Sequence, residues 1–281
     1  MRCYLSISIT MFGFFVSHGQ YTDQINSNRP GASIGAFSVG KNVVQFEGGS
    51  EVRTYKHRSY NNSKVNSSLL FLSIRYGLLS EKIELTYDGI YQFDKLDNLL
   101  INPSMESKRQ GFLNNFLGIK YLVYDPFKKE REVNVYSWKA NNGFKLRDLI
   151  PAVSLTLGGN FILEKESPFP YGNVFDELRP PLFFGIPRDD SIEPSFTGKA
   201  ILATQSHFFG RWVFVTNFIY NRISSDFPEF SYILSLTHTI NEKWSTYIET
   251  QNFSSDLYKD QIFRTGAAYL FTDDLQFEAT L

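Results

Sequence analysis

The chain has 281 residues and a formal net charge of −1, with 28 basic against 29 acidic side chains. That even balance leaves no basic field to draw in a nucleic acid, and one Cys with 20% charged and 16% aromatic residues excludes disulfide-stapled and disordered classes. At roughly 22 residues per strand with its connection, a β chain of this length holds about 12 strands in one domain.

Residues 1–19 read as a secretion signal: Arg2 supplies the positive start, Tyr4 to Val16 an apolar stretch, and Ser17-His18-Gly19 a small-x-small end. Cleavage is expected before Gln20. Cys3 would leave with the signal, so the exported chain has no thiol. Beyond Gly19 no run of 18 apolar residues occurs, so no transmembrane helix is expected. Residues 20–41 form an N-terminal segment that either trails in the periplasm or folds back as a plug.

From residue 42 the pattern has period 2. Asn42 to Lys56 sets Val44, Phe46, Val52 and Thr54 opposite Gln45, Glu47, Glu51 and Arg53. Leu70, Leu72, Ile74 and Tyr76 alternate with Ser73 and Arg75, and a tight turn at Gly77 to Ser80 leads into the clearest strand, Ile83 to Phe93. There Ile83, Leu85, Tyr87, Gly89, Tyr91 and Phe93 oppose Lys82, Glu84, Thr86, Asp88 and Gln92. Further strands are predicted at Gly118 to Tyr124, Ile150 to Ile162, Thr197 to Gln205, Trp212 to Asn221, Tyr232 to Thr239, Trp244 to Asn252, Gln261 to Phe271, and Leu275 to the end. Eleven strands are visible. Single-chain bacterial barrels have an even number, so a closing strand is expected to be missing.

Short turns at Gly77 to Ser80, His207 to Arg211, Ile240 to Lys243 and Thr272 to Asp274 alternate with longer connections. The long ones are His57 to Lys64, Asp94 to Gly111, Glu164 to Ser195, Arg222 to Glu229 and Ser254 to Asp260, as in barrels with short periplasmic turns and long outer loops. Asp125 to Asp148 is long where a short turn is due, and Val133, Val135 and Tyr136 give it room for an extra hairpin. One-sided apolar strands suit a secreted β protein as well as a barrel. Tyr76, Tyr87, Tyr91, Phe93, Tyr121 and Tyr124, near strand ends, suit an interfacial girdle and favour the membrane.

Asn28-Arg29-Pro30-Gly31-Ala32-Ser33, then Val39-Gly40-Lys41, then Gln45-Phe46-Glu47-Gly48-Gly49 resembles the opening segment of the outer-membrane barrel family named for the phenol-degradation meta-pathway protein. Asn28 stands where that family usually has an acid. Similarity continues at Leu117-Gly118-Ile119-Lys120-Tyr121, Ile150 to Leu155, Glu242-Lys243-Trp244 through Glu249, and Arg264 to Tyr269. The resemblance implies an all-β transmembrane antiparallel barrel over residues 42–281. It also implies an outer-membrane location in a Gram-negative cell, contact with lipid and the barrel-assembly machinery, and passage of small compounds, hydrophobic or aromatic ones among them. A barrel that only anchors or scaffolds is the alternative.

The residues themselves suggest an interior lined by Gln45, Glu47, Glu51, Arg53, Arg75, Glu84, Asp88, Lys120, Lys199, Glu249, Arg264 and Glu278. Acids and bases nearly balance, so these side chains either set an electrostatic filter or fill the interior as ion pairs. Arg29 and Pro30 are plug candidates, with Arg29 expected to pair with a lumen acid such as Glu47. Six prolines between Glu164 and Ser195, among Phe169, Tyr171, Phe175, Phe183 and Phe184, resist regular structure and suggest an outer lid.

An outer-membrane lipid hydrolase is the competing class, because some barrels present Ser and His at the rim. Of His57, His207 and His238, only His57 lies near the outer side, with Ser59 beside it and no third member. No His or Cys pair has metal-ligand spacing, and no phosphate-cradling Gly loop precedes a helix. No catalytic residue, cofactor or metal is expected.

Overall fold

The computed structural model describes residues 27–28, 31–57, 63–97, 106–128, 136, 149–163, 195–225, 228–256 and 259–281. The first five strands are β1 (Val44–His57), β2 (Ser63–Leu78), β3 (Ile83–Asp97), β4 (Glu106–Tyr124) and β5 (Ala152–Phe161). The other six are β6 (Phe196–Phe208), β7 (Trp212–Ile223), β8 (Glu229–Thr239), β9 (Trp244–Ser255), β10 (Lys259–Thr272) and β11 (Leu275–Thr280). They form one sheet in the order β1 to β11, each strand antiparallel to the next. Among the described residues β1 and β11 are not paired with each other, and no α-helix occurs.

Period-2 alternation gives the sheet two unlike faces. On one face Arg75 is 0% exposed and Glu84 and Lys120 are each 1% exposed. On the other, Phe46, Val52 and Phe263 are 65%, 81% and 72% exposed. Charge is buried and hydrocarbon is presented outward, the reverse of a soluble protein. The residues of the charged face converge on the N-terminal segment, which ties that face to the inside of the curl.

The outer face also carries aromatic side chains near the strand ends. At the end bearing the short turns, Trp212 stacks on His238 with centroids 4.2 Å apart, Trp244 lies 4.7 Å from Tyr269, and Tyr121 and Tyr124 are about half exposed. Toward the long-loop end Tyr91 contacts Phe93 and Phe112, each at 5.0 Å. Rings at two levels match the amphipathic belts of membrane barrels.

Strand boundaries differ from the sequence reading mainly at the long-loop end. The connection expected over Asp94 to Gly111 is strand at both its ends, because β3 runs to Asp97 and β4 begins at Glu106. Polar partners carry this extension: Arg109 bridges Asp94 at 2.6 Å, and Gln92 donates to Asp94 at 2.8 Å. In β4 the alternation is interrupted where Ile90 pairs with Asn114 and Tyr91 with Phe112, leaving Leu113 as an extra residue. This bulge packs Leu113 inward beside Leu69 and Ile90. The extra hairpin expected within Asp125 to Asp148, the signal at 1–19 and the proline-rich stretch at 164–194 lie outside the described residues.

Candidate functional site: the inner face and the segment that threads it

The N-terminal segment leaves β1 through a turn in which Asn42 adopts a φ of 62° and Val43 donates to the carbonyl of Gly40 at 3.0 Å. It then passes over Gly77, where an added Cβ would collide with the backbone of Gly40. From there it runs around the inside of the sheet, and strand after strand offers one side chain to its main chain.

Val39 N donates to Glu84 of β3 at 2.8 Å. The carbonyl of Phe37 accepts from Lys120 of β4 at 2.7 Å and from Arg75 of β2 at 3.2 Å. Ala36 N donates to Gln205 of β6 at 3.0 Å. Asn217 of β7 grips Ile34 on both sides, accepting from its N–H and donating to its carbonyl, each at 2.7 Å. Ala32 N and Ser33 N converge on the Glu249 carboxylate of β9, at 3.0 and 3.1 Å. Finally Asn28 N and Ser27 Oγ donate to Glu47 of β1, at 3.1 and 3.3 Å, while Asn28 Oδ1 accepts from Gly35 N at 3.0 Å.

Seven strands therefore hold residues 27–28 and 31–39, and nearly every bond goes to their backbone. Buried main-chain groups without a sheet partner need such bonds. The holding groups are themselves braced. Arg75 forks onto Glu84 at 2.8 and 2.9 Å, Lys120 lies 3.5 Å from Glu84, and Arg264 reaches Glu249 at 2.9 Å and Gln251 at 2.8 Å. Charge-assisted bonds of this kind are the stronger ones and fix geometry.

The side chains of the segment add apolar contacts. Ile34 packs on Phe116, Ile201, Ile219 and Ile233, and Ala36 on Leu122 and Ala152. Phe37 lies against Phe127 and His207, with centroids 6.1 and 6.0 Å away. Gly31 has a φ of +103°, and a Cβ there would sit 2.6 Å from Glu249 Oε2. Glycine is required at that position, both for the left-handed backbone and for the approach to the carboxylate.

The twelve residues proposed to line the interior stand in different settings. Gln45, Glu47, Arg75, Glu84, Lys120 and Glu249 are buried and join the network around the segment. Arg264 braces Glu249. Glu51 and Arg53 pair with each other at 2.6 Å in an exposed stretch of β1, and Glu278 is exposed on β11. Asp88 and Lys199 stand apart, toward the long-loop end. Arg29, Pro30 and the five lid aromatics lie outside the described residues, as does the expected Arg29 to Glu47 pair; Glu47 does hold the segment, through Asn28 and Ser27.

Sequence reading missed Gln205 and Asn217, the ion pair of Arg222 with Glu229 at 3.3 Å, and that of Arg109 with Asp94. Gln205 was within a predicted strand, and a polar residue at its inward parity was the available signal. Asn217 lies in the predicted strand Trp212 to Asn221, where polar and apolar residues do not alternate cleanly, and the two ion pairs lie in stretches read as connections.

A wall of antiparallel strands that turns hydrocarbon outward and ion pairs inward defines the class of transmembrane β-barrels. The family model described as "Putative MetA-pathway of phenol degradation" matches residues 27–171 and 180–281. The chain belongs to that family. Among solved structures it is similar to an outer membrane channel from Pseudomonas putida F1, at 15% sequence identity and a TM-score of 0.43, over 85% of this chain and 85% of that chain. No curated protein matches it.

Proposed function

We propose that this protein is an outer-membrane channel for small molecules, hydrophobic or aromatic ones among them, whose interior is occupied at the short-turn end by its own N-terminal segment. The observation that carries the reading is the ring of side chains from seven strands that binds the backbone of residues 28 and 32–39. A polar interior filled only for stability needs no strap through it; wall ion pairs would suffice. In this reading residues 1–19 direct export, the assembly machinery inserts the wall, and the outward hydrocarbon meets lipid.

The test is deletion of residues 27–39 in the full chain, followed by conductance measurement in planar bilayers. A barrel that still shifts in gel mobility on heating, with single-channel conductance raised several-fold, supports the reading. A folded deletion variant with unchanged conductance overturns it.

A further inference from the structure

His207 is the penultimate residue of β6, at the short-turn end, and its half-buried ring lies against Phe37 of the segment and Phe127, with centroids 6.0 and 5.0 Å away. Two residues back on the same face, Gln205 offers one side-chain amide to two neighbours. Its Oε1 accepts the main-chain N–H of Ala36 at 3.0 Å, and its Nε2 lies 2.9 Å from His207 Nε2.

These two contacts fix a protonation state. A main-chain N–H only donates, so the oxygen of the Gln205 amide must face Ala36 and its NH2 group must face His207. An NH2 group also only donates, so His207 Nε2 must accept, and the imidazole is neutral with its proton on Nδ1. An imidazolium donates from both nitrogens. It would set N–H against NH2, and either the amide turns over and gives up Ala36 or the ring swings off Gln205. A second proton on His207 and the intact Ala36–Gln205–His207 chain are therefore mutually exclusive.

The surroundings give the charged ring no counterweight. Phe37 and Phe127 face it, Val213 is its register partner on β7, and Ala152 of β5 pairs with Gln205. The charged groups around Phe37 and Phe127 are committed elsewhere: Arg75 and Lys120 hold the Phe37 carbonyl and pair with Glu84, and Asp125 accepts Phe127 N at 2.9 Å. Among the described residues no charged side chain acts on His207.

We infer that His207 is a proton sensor for the N-terminal segment: neutral, it orients the Gln205 amide to hold Ala36, and protonated, it breaks that hold. The released state binds a proton that the held state refuses, so holding is full above the ordinary imidazole value of about 6.5 and weakens below it, by up to tenfold per pH unit. Val39 is held by Glu84 and has no imidazole in its contact. The expected consequence, conductance that rises in mild acid, rests on the channel reading; the hydrogen-bond switch rests on the contacts alone.

The experiment is amide hydrogen exchange by NMR on the full chain refolded in detergent micelles, at pH 7.5 and 5.5. Rates are read as protection factors, so that the intrinsic pH dependence of exchange cancels. Protection at Ala36 is expected to fall at least fivefold between the two values, and at Val39 less than twofold. His207→Phe keeps a ring against Phe37 and Phe127 but cannot titrate, and His207→Gln keeps an acceptor; in both, protection at Ala36 is expected to stay within twofold.

Equal Ala36 protection at the two pH values in the unaltered protein overturns the sensor, a comparison that needs no variant to fold. So does an equal loss at Val39, which marks general loosening in acid, or the same fall in either His207 variant, which assigns the titration to another group. Protection at Ala36 that follows pH while bilayers show no conductance at either value leaves the sensor standing and removes the channel reading alone.

Discussion

Glu249 on β9 accepts the main-chain N–H of Ser33 at 3.1 Å, across 216 residues of chain. The same carboxylate takes Ala32 N and is steadied by Arg264. Glu249→Ala strips three donors of their acceptor in a buried setting, at about 3–5 kcal/mol by the behaviour of broken buried ion pairs. Limited proteolysis of the refolded protein is expected to cut within residues 27–39 in Glu249→Ala and to spare them in the unaltered chain. Equal protection would show that the carboxylate does not hold the segment.

Asn217 meets both polar groups of Ile34 at 2.7 Å and is itself fully buried. Asn217→Leu keeps the volume and removes both bonds, leaving a partly buried N–H and carbonyl unpaired, at about 1 kcal/mol each. The segment is expected to exchange its amide hydrogens faster at Ile34 than at Val39, which keeps its own bond to Glu84. Uniform protection along the segment would contradict this.

Gly31→Ala tests the turn. The left-handed φ of +103° costs an L-residue about 1–2 kcal/mol, and the added methyl must push Glu249 away. The expected outcome is the phenotype of Glu249→Ala in weaker form. Ser33→Ala, which leaves the Ser33 N–H in place, is expected to change little.

Arg75 has no exposed surface and lies between Glu84, at 2.8 Å, and Glu47, at 3.7 Å. Arg75→Met leaves two carboxylates buried with one fewer cation, a loss of about 3–5 kcal/mol. The midpoint of urea unfolding is expected to fall, and Arg75→Met combined with Glu84→Gln to recover part of the loss, because the two sites are coupled. Strict additivity of the two changes would argue against the pair acting as a unit.

Much of the wall was legible in the sequence because its alternation is two-sided and the residues obey it. Glu84, Arg75 and Lys120 declared the inner face as plainly as Phe46 and Val52 declared the outer one. What escaped was structure whose cause lies elsewhere in the chain. Glu106 to Gly111 has no apolar alternation, and only the partners across the sheet, such as Asp94 for Arg109, make it a strand. Leu113 breaks parity inside β4, which no period-2 template anticipates. The role of Asn28 is of the same kind: its side chain closes onto Gly35, seven residues on, only because both ends of the segment are pinned to the wall.

The path of the segment also sets an order of events. Residues 27–39 are synthesised before any strand, yet their bonds run to β2, β3, β4, β6, β7 and β9 as well as to neighbouring β1. Contacts so distant in sequence form late, since each needs a large loop closed first. A peptide made before every strand is thus locked only after β9 is in place, and its arrival reports that nine strands already stand in register.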